Sequence, residues 1–318
     1  MSSHVVDRRQ VRAALVAVIG IALLVGGKPA DALRHPAAPR CPIFPKSSVW
    51  NQRVDRLPVA ANSDAIIRSI GPDDTLHPDF GSGLWEGAPI GIPITVVRGR
   101  QPKVRVAFEY ADESDRGPYP IPRNVKIEGG RQSDGDRHAL ILDRDNCRLY
   151  ELFALYPQGN GWRAGSGAIW NLRTNRLRPA GWTSADAAGL PILPGLARFD
   201  EVARGRIDHA LRFTVSRTRR AYVYPARHYA SSATDPNLPP MGLRLRLKAS
   251  FPTRGYPRQA RIVLEALKRY GMLVSDNGSD WYITGAPDPR WSNEQLRALK
   301  RVPGSAFEVV DTSRLRPR

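Results

Sequence analysis

Four carboxylates and three histidines are the residues whose types and places could carry proton-transfer chemistry. The carboxylates are Glu151, Asp186, Asp200 and Glu201. Two of them flanking a glycosidic bond would supply the acid, and the base or nucleophile, that glycoside cleavage needs. Glu151 lies in 148–155 (RLYELFAL), where it shares one face of an expected strand with Leu149, Phe153 and Leu155. A carboxylate among such neighbours is costly unless it is paired or set in a cleft. Pairing with an arginine would make it structural, whereas a cleft would make it a general acid with a raised pKa. Glu151 and Asp186 are the favoured acid and base, with Asp200 and Glu201 next. His138, His209 and His228 each have an aspartate close in sequence (Asp136, Asp208 and Asp235). They serve if a proton is abstracted from the sugar or a metal is held, although three structural histidines would look the same. Trp162, Trp170 and Trp182 offer flat faces to sugar rings, or else core packing.

Other chemistries lose support. The chain has no GxSxG elbow, HExxH pair, phosphate-cradling glycine loop or dinucleotide fingerprint. Asp112, Glu113 and Asp115 crowd together with enough oxygens for calcium. They lack the spacing of a calcium loop, so a solvated acidic turn is expected and no metal site is assigned. The formal net charge is +18, and the basic residues are scattered and mostly arginine. Scattered charge makes solvated surface; its functional counterpart is attraction to an anionic partner, with arginines holding an anionic sugar. Nucleic acid is not expected, because zinc-finger spacing, basic heptads and an aromatic RNA-binding signature are all missing. The sequence points to no particular cofactor.

The elements that must position these residues follow from apolar periodicity. Residues 90–97, 104–110 (VRVAFEY), 138–142 (HALIL), 148–155, 210–214, 220–224 and 243–247 read as strands. The pair 138–142 and 148–155 is a hairpin. In 243–247 the leucines should face inward and Arg244 and Arg246 outward. Residues 63–70 (SDAIIRSI) have helical spacing, with Ser63 as a possible N-cap and Gly71-Pro72 as the stop. Residues 77–83 read as a polar, glycine-bearing loop. Between the strands lies 165–201, long, poor in regular periodicity and rich in Gly, Pro and Trp. Its Trp170, Trp182, Leu190, Ile192, Leu193 and Phe199 carry too much apolar surface for disorder, so an ordered loop system around a site is expected. Past Pro257 the character changes. Residues 258–270 form an amphipathic helix with Gly271 as C′, and 272–274 and 281–284 are strands around the turn signal Asp276-Asn277-Gly278. Ser292 and Gln295 make a capping box, and 307–310 is a last strand.

The N-terminus reads as an export signal. Arg8, Arg9 and Arg12 precede an apolar run at 13–26, and Ala30-Asp31-Ala32 supplies the small-x-small cleavage pattern. The run falls short of the roughly 20 residues that span a bilayer, so no stable membrane span is expected after cleavage. A periplasmic or secreted protein follows. In that oxidising compartment Cys41 and Cys147, the two cysteines of the chain, have one possible pairing and are expected to form a disulfide. The expected organisation is a signal peptide at 1–32, a β-rich core with long ordered loops at 33–256, and a small α+β part at 257–318 packed on that core. Many short strands with Pro/Gly turns make the fold class mainly β, with a sandwich or jelly-roll-like core.

Several runs resemble a family of exported, largely uncharacterised bacterial proteins. They are 76–81 (LHPDFG), 110–115 (YADESD), 181–195 (GWTSADAAGLPILPG), 270–278 (YGMLVSDNG) and 307–311 (FEVVD). The resemblance covers nearly all of the chain past the signal and implies one exported unit; it brings no catalytic residue with it. The functional expectation is an exported carbohydrate-active enzyme that cleaves a polysaccharide, by hydrolysis or elimination. The alternative is a non-catalytic envelope or carbohydrate-binding protein.

Overall fold

In a computed structural model that describes Met1 and residues 33–315, the chain is β-rich, with its strands in several sheets. Apart from Met1, the signal peptide expected over 1–32 lies outside the described residues. Among the described residues no helix is long and apolar enough to cross a membrane.

The largest sheet has six strands, in the order His77–Asp79, Tyr282–Thr284, Leu211–Val215, Met272–Asn277, Arg244–Leu247 and Phe307–Val309. It takes strands from both sides of residue 257. His77–Asp79 runs parallel to Tyr282–Thr284, and Leu211–Val215 parallel to Met272–Asn277; the other pairings are antiparallel. The helix Arg258–Arg269 buries Ile262, Val263, Ala266 and Leu267 in the core of this sheet. Burying an aliphatic of Val, Ile or Leu size is worth roughly 1.5–3 kcal/mol, which makes this face the helix's main anchor. Gly271 follows with a φ of 67°, and a Cβ there would run into the Leu245 carbonyl.

A four-stranded sheet carries the hairpin Ala139–Asp143 and Arg148–Phe153, flanked by Ile94–Val97 and Ser166–Asn171. Val106–Phe108, Gly161–Ala164 and Tyr156–Gln158 make a three-stranded sheet. Cys41 and Cys147 are bridged, with their Cα atoms 5.1 Å apart. The bridge sits in an apolar cluster with Phe44, Trp170 and Leu172 and ties the first described segment to the hairpin turn.

Several local expectations are corrected. Arg244 and Arg246 do not face solvent: both are buried beneath 49–57. Arg244 donates to the carbonyls of Val49, Gln52 and Tyr270, and Arg246 to those of Val54 and Leu57 and to Glu308. Here arginine satisfies the carbonyls of a covering segment that has no ladder of its own. Residues 220–224 are not a strand. Tyr222 makes one isolated bridge to Met241, because Pro239 and Pro240 have no N–H to extend a ladder. The strands around Asp276-Asn277-Gly278 do not pair with each other, since Leu211–Val215 lies between them. Ser63 does not cap its helix; its Oγ accepts from Val309 N at 2.9 Å. The loop expected over 165–201 begins as the strand Ser166–Asn171, which lacks visible alternation because both of its faces are largely buried. His77–Asp79, read as loop, is the edge strand of the large sheet.

Candidate active site

The loop 182–190 folds over one end of the large sheet, and the charged side chains beneath it converge on Arg212. Arg212 rises from Leu211–Val215, nearly fully buried. Its Nε and Nη2 donate to the two carboxylate oxygens of Asp186 at 3.0 and 2.8 Å, and its Nη1 donates to Thr284 Oγ1 at 2.7 Å. The planar fork thereby fixes a fully buried carboxylate in one geometry. Asp276, just past a register shift in the neighbouring strand, puts Oδ2 3.9 Å from Arg212 Nη2. Burial and the charge of Asp186 push Asp276 up to about 7, against the pull of Arg212.

A second pair closes the other side. His138 opens the hairpin and is buried. Its Nδ1 lies 2.5 Å from Glu128 Oε2, and its Nε2 lies 2.9 Å from the Ala185 carbonyl. Burial opposes protonation of His138, but the Glu128 carboxylate outweighs it and raises the imidazole to about 9. Burial likewise works against ionised Glu128, and His138 holds it below the ordinary range. At neutral pH His138 is therefore an imidazolium donating from both ring nitrogens.

Asp79 completes the group. It ends the edge strand opposite Thr284 and is open to solvent. Enclosing protein pushes its carboxyl up, the charge of Glu128 adds to this, and Arg212 opposes it. Its carboxylate accepts no hydrogen bond from the described residues. The site thus sets four carboxyls (Asp79, Glu128, Asp186, Asp276) against two cations (His138, Arg212). Such an excess favours one carboxyl keeping its proton, and Asp276 is the one pushed to about 7. Asp79 and Asp276 both reach water, the latter with 23% of its side chain exposed.

Of the residues singled out in the sequence, Asp186 and His138 meet here. Glu151 lies deeper and is fully buried. Its two oxygens accept from Ile192 N, Leu193 N and Trp170 Nε1 at 2.9–3.0 Å, so it pins the loop to the sheet. Burial pushes it to about 7 against those donors. Glu201 and His209 form a separate buried cluster: Glu201 Oε1 lies 2.7 Å from Arg198 Nη2 as an ion pair, and its Oε2 lies 3.0 Å from His209 Nε2. Asp200 stands beside it, half-buried, between Arg198 and Arg204. His228 gives Nδ1 to the Ala187 carbonyl, with Nε2 3.7 Å from Glu113. Trp170 is buried against Phe44, whereas Trp162 and Trp182 are half-buried. Asp115 pairs with Arg178, and among the described residues no group of three or more His, Cys, Asp or Glu is placed to hold a metal ion. Asp79, Glu128, Arg212 and Asp276 were not singled out. Their one sequence signal is that two of them, Asp79 and Asp276, fall in the resembling runs 76–81 and 270–278.

No family model matches the chain, and neither does any curated protein or solved structure.

Proposed function

We propose that the protein is an exported hydrolase that cleaves a polysaccharide, with Asp276 as general acid and Asp79 as base or nucleophile. The observation that carries this reading is the pair of water-accessible carboxyls set around Arg212, one raised to about 7 and the other accepting no hydrogen bond from the described residues. Asp276 would give its proton to the glycosidic oxygen as the bond to the anomeric carbon breaks. Asp79 would either take a proton from the attacking water or attack that carbon itself. Arg212 and Asp186 position Asp276, and the Glu128–His138 pair sets the field around Asp79. Hydrolysis is favoured over elimination because His138 and His209 have both ring nitrogens engaged inside the protein, while His228 is held by the Ala187 carbonyl and faces Glu113 rather than Asp79 or Asp276. Export accords with the disulfide and the sequence of the N-terminus.

The test is reducing-end release by the mature protein from a panel of neutral and acidic glycans. Asp276→Asn and Asp79→Asn should each lower turnover by about 10²–10⁴-fold. Activity should fall as the pH rises through about 7, where Asp276 loses its proton. Full turnover by both variants would refute the assignment. Ultraviolet absorbance from an unsaturated product would replace hydrolysis with elimination. Retention on a glycan with no product would favour the binding-protein alternative.

A further inference from the structure

Three open cavities of about 780, 670 and 800 Å³ follow one another along 122–131. The first and second share Pro93, Asn124, Lys126, Pro287 and Asp288 as walls. The second and third share Arg123, Ile127 and Arg131, so the three form one trough. Its floor begins at a turn with Arg123 exposed and continues as a short irregular segment in which Val125 and Ile127 enter the core while Lys126 points out. Lys126 N donates to Thr95 Oγ1 and holds the segment along the edge strand Ile94–Val97. Gly81 and Gly130, each two residues from Asp79 or Glu128, line the middle cavity and are the trough's nearest approach in sequence to the proposed acid–base pair, whose own side chains line none of the three cavities.

The charge of the trough is one-sided. Arg98, Arg100, Arg123, Lys126, Arg131 and Arg163 line it and are exposed. Among the described residues none of the six forms an ion pair with a carboxylate. The two acidic residues of the walls are already partnered: Asp288 by Arg290 at 2.7 Å, and Asp200 by Arg198 at 3.5 Å. Flat rings are also present. Trp162 lines the third cavity. The hairpin Leu84–Trp85/Ala88–Pro89 stands at the middle one, with Trp85 70% exposed. Six cations without carboxylate partners make a positive groove that favours a linear polyanion. The exposed Trp85 and the half-buried Trp162 offer ring faces that suit pyranose rings.

We infer that this trough is the track for a linear carboxylated polysaccharide, whose carboxylates lie on the six cations and whose rings stack on Trp85 and Trp162. The inference rests on the glycan reading above and names the substrate class. Each exposed ion pair is worth up to about fivefold in affinity, so losing three together should cost about tenfold or more.

The test uses the mature protein in affinity electrophoresis through gels containing polygalacturonate, alginate or hyaluronan, with neutral dextran and single-stranded DNA as controls. At low salt the protein should be retarded by at least one carboxylated glycan and not by dextran, and salt should abolish the retardation. Arg123→Ser/Arg131→Ser/Arg163→Ser should weaken it about tenfold at an unchanged Tm, and Trp85→Ala should weaken it further. Asp276→Asn should leave retardation intact, so a failure of the catalytic assignment and a failure of the trough are read separately. Equal retardation by dextran, no loss in the triple variant, or retardation by DNA alone would overturn the inference.

Discussion

Removing the Cys41–Cys147 bridge should lower stability by an amount the chain length sets. The two cysteines are 106 residues apart. Closing a loop of that length in the unfolded chain costs about 16 cal/mol/K in the chain-entropy relation, which is about 4.8 kcal/mol at 25 °C. For the 283 residues from 33 to 315, an unfolding entropy of about 2.1 cal/mol/K per residue gives roughly 0.6 kcal/mol/K. The expected drop in Tm is therefore about 8 °C. Both cysteines are buried, at 1% and 0% exposure, so reductant reaches the bridge slowly in the folded protein and the comparison is best made with Cys41→Ala/Cys147→Ala. Differential scanning calorimetry of the oxidised wild type and this double variant measures the difference. The cavities left by two sulfurs add a little to it. A Tm within about 2 °C of wild type would refute the argument, because it would mean the unfolded chain already holds these segments together without the bond.

Two further substitutions test how the site is held. Arg212→Met leaves Asp186 buried and unpaired and should cost about 3–5 kcal/mol in denaturant unfolding, whereas adding Asp186→Leu should recover most of it; additive losses would contradict the pairing. Glu151→Ala strands the N–H groups of Ile192, Leu193 and Trp170 and should lower stability by several kcal/mol, since each buried orphan donor costs about 1–3 kcal/mol; an unchanged urea midpoint would show that the loop is not anchored there.

Local elements with a strong period were legible in the sequence. Arg258–Arg269 shows its 3.6-residue spacing, Ser292 caps its helix by accepting from Gln295 N at 3.2 Å although the Gln295 side chain accepts from Gln259 N and does not close the box, and the hairpin at 139–153 is formed. The β-rich class followed from them. Sheet order was not legible, because insertion of Leu211–Val215 between Met272–Asn277 and Tyr282–Thr284 is decided by packing over long separations rather than by the turn residues between the two strands. The candidate site was half legible for the same reason. Asp186 and His138 stand in polar or loop contexts that mark them. Arg212 looks like any outward arginine on an alternating strand, and Asp276 like any turn aspartate, until the fold puts them side by side. Glu151 was conspicuous because it is a carboxylate in an apolar strand, and its partners turned out to be backbone N–H groups that a sequence does not distinguish.

The parallel pairing of His77–Asp79 with Tyr282–Thr284 also governs how the chain comes off the ribosome. The partners are 282 − 77 = 205 residues apart. At roughly 5–20 residues per second, the first strand waits about 10–40 s before its neighbour has been synthesised. Met272–Asn277, which lies inside the sheet, arrives equally late. The growing chain therefore spends most of its synthesis with unclosed strand edges. A truncation that removes Phe307–Val309 would expose Arg244–Leu247 as a raw edge and should send the protein into inclusion bodies.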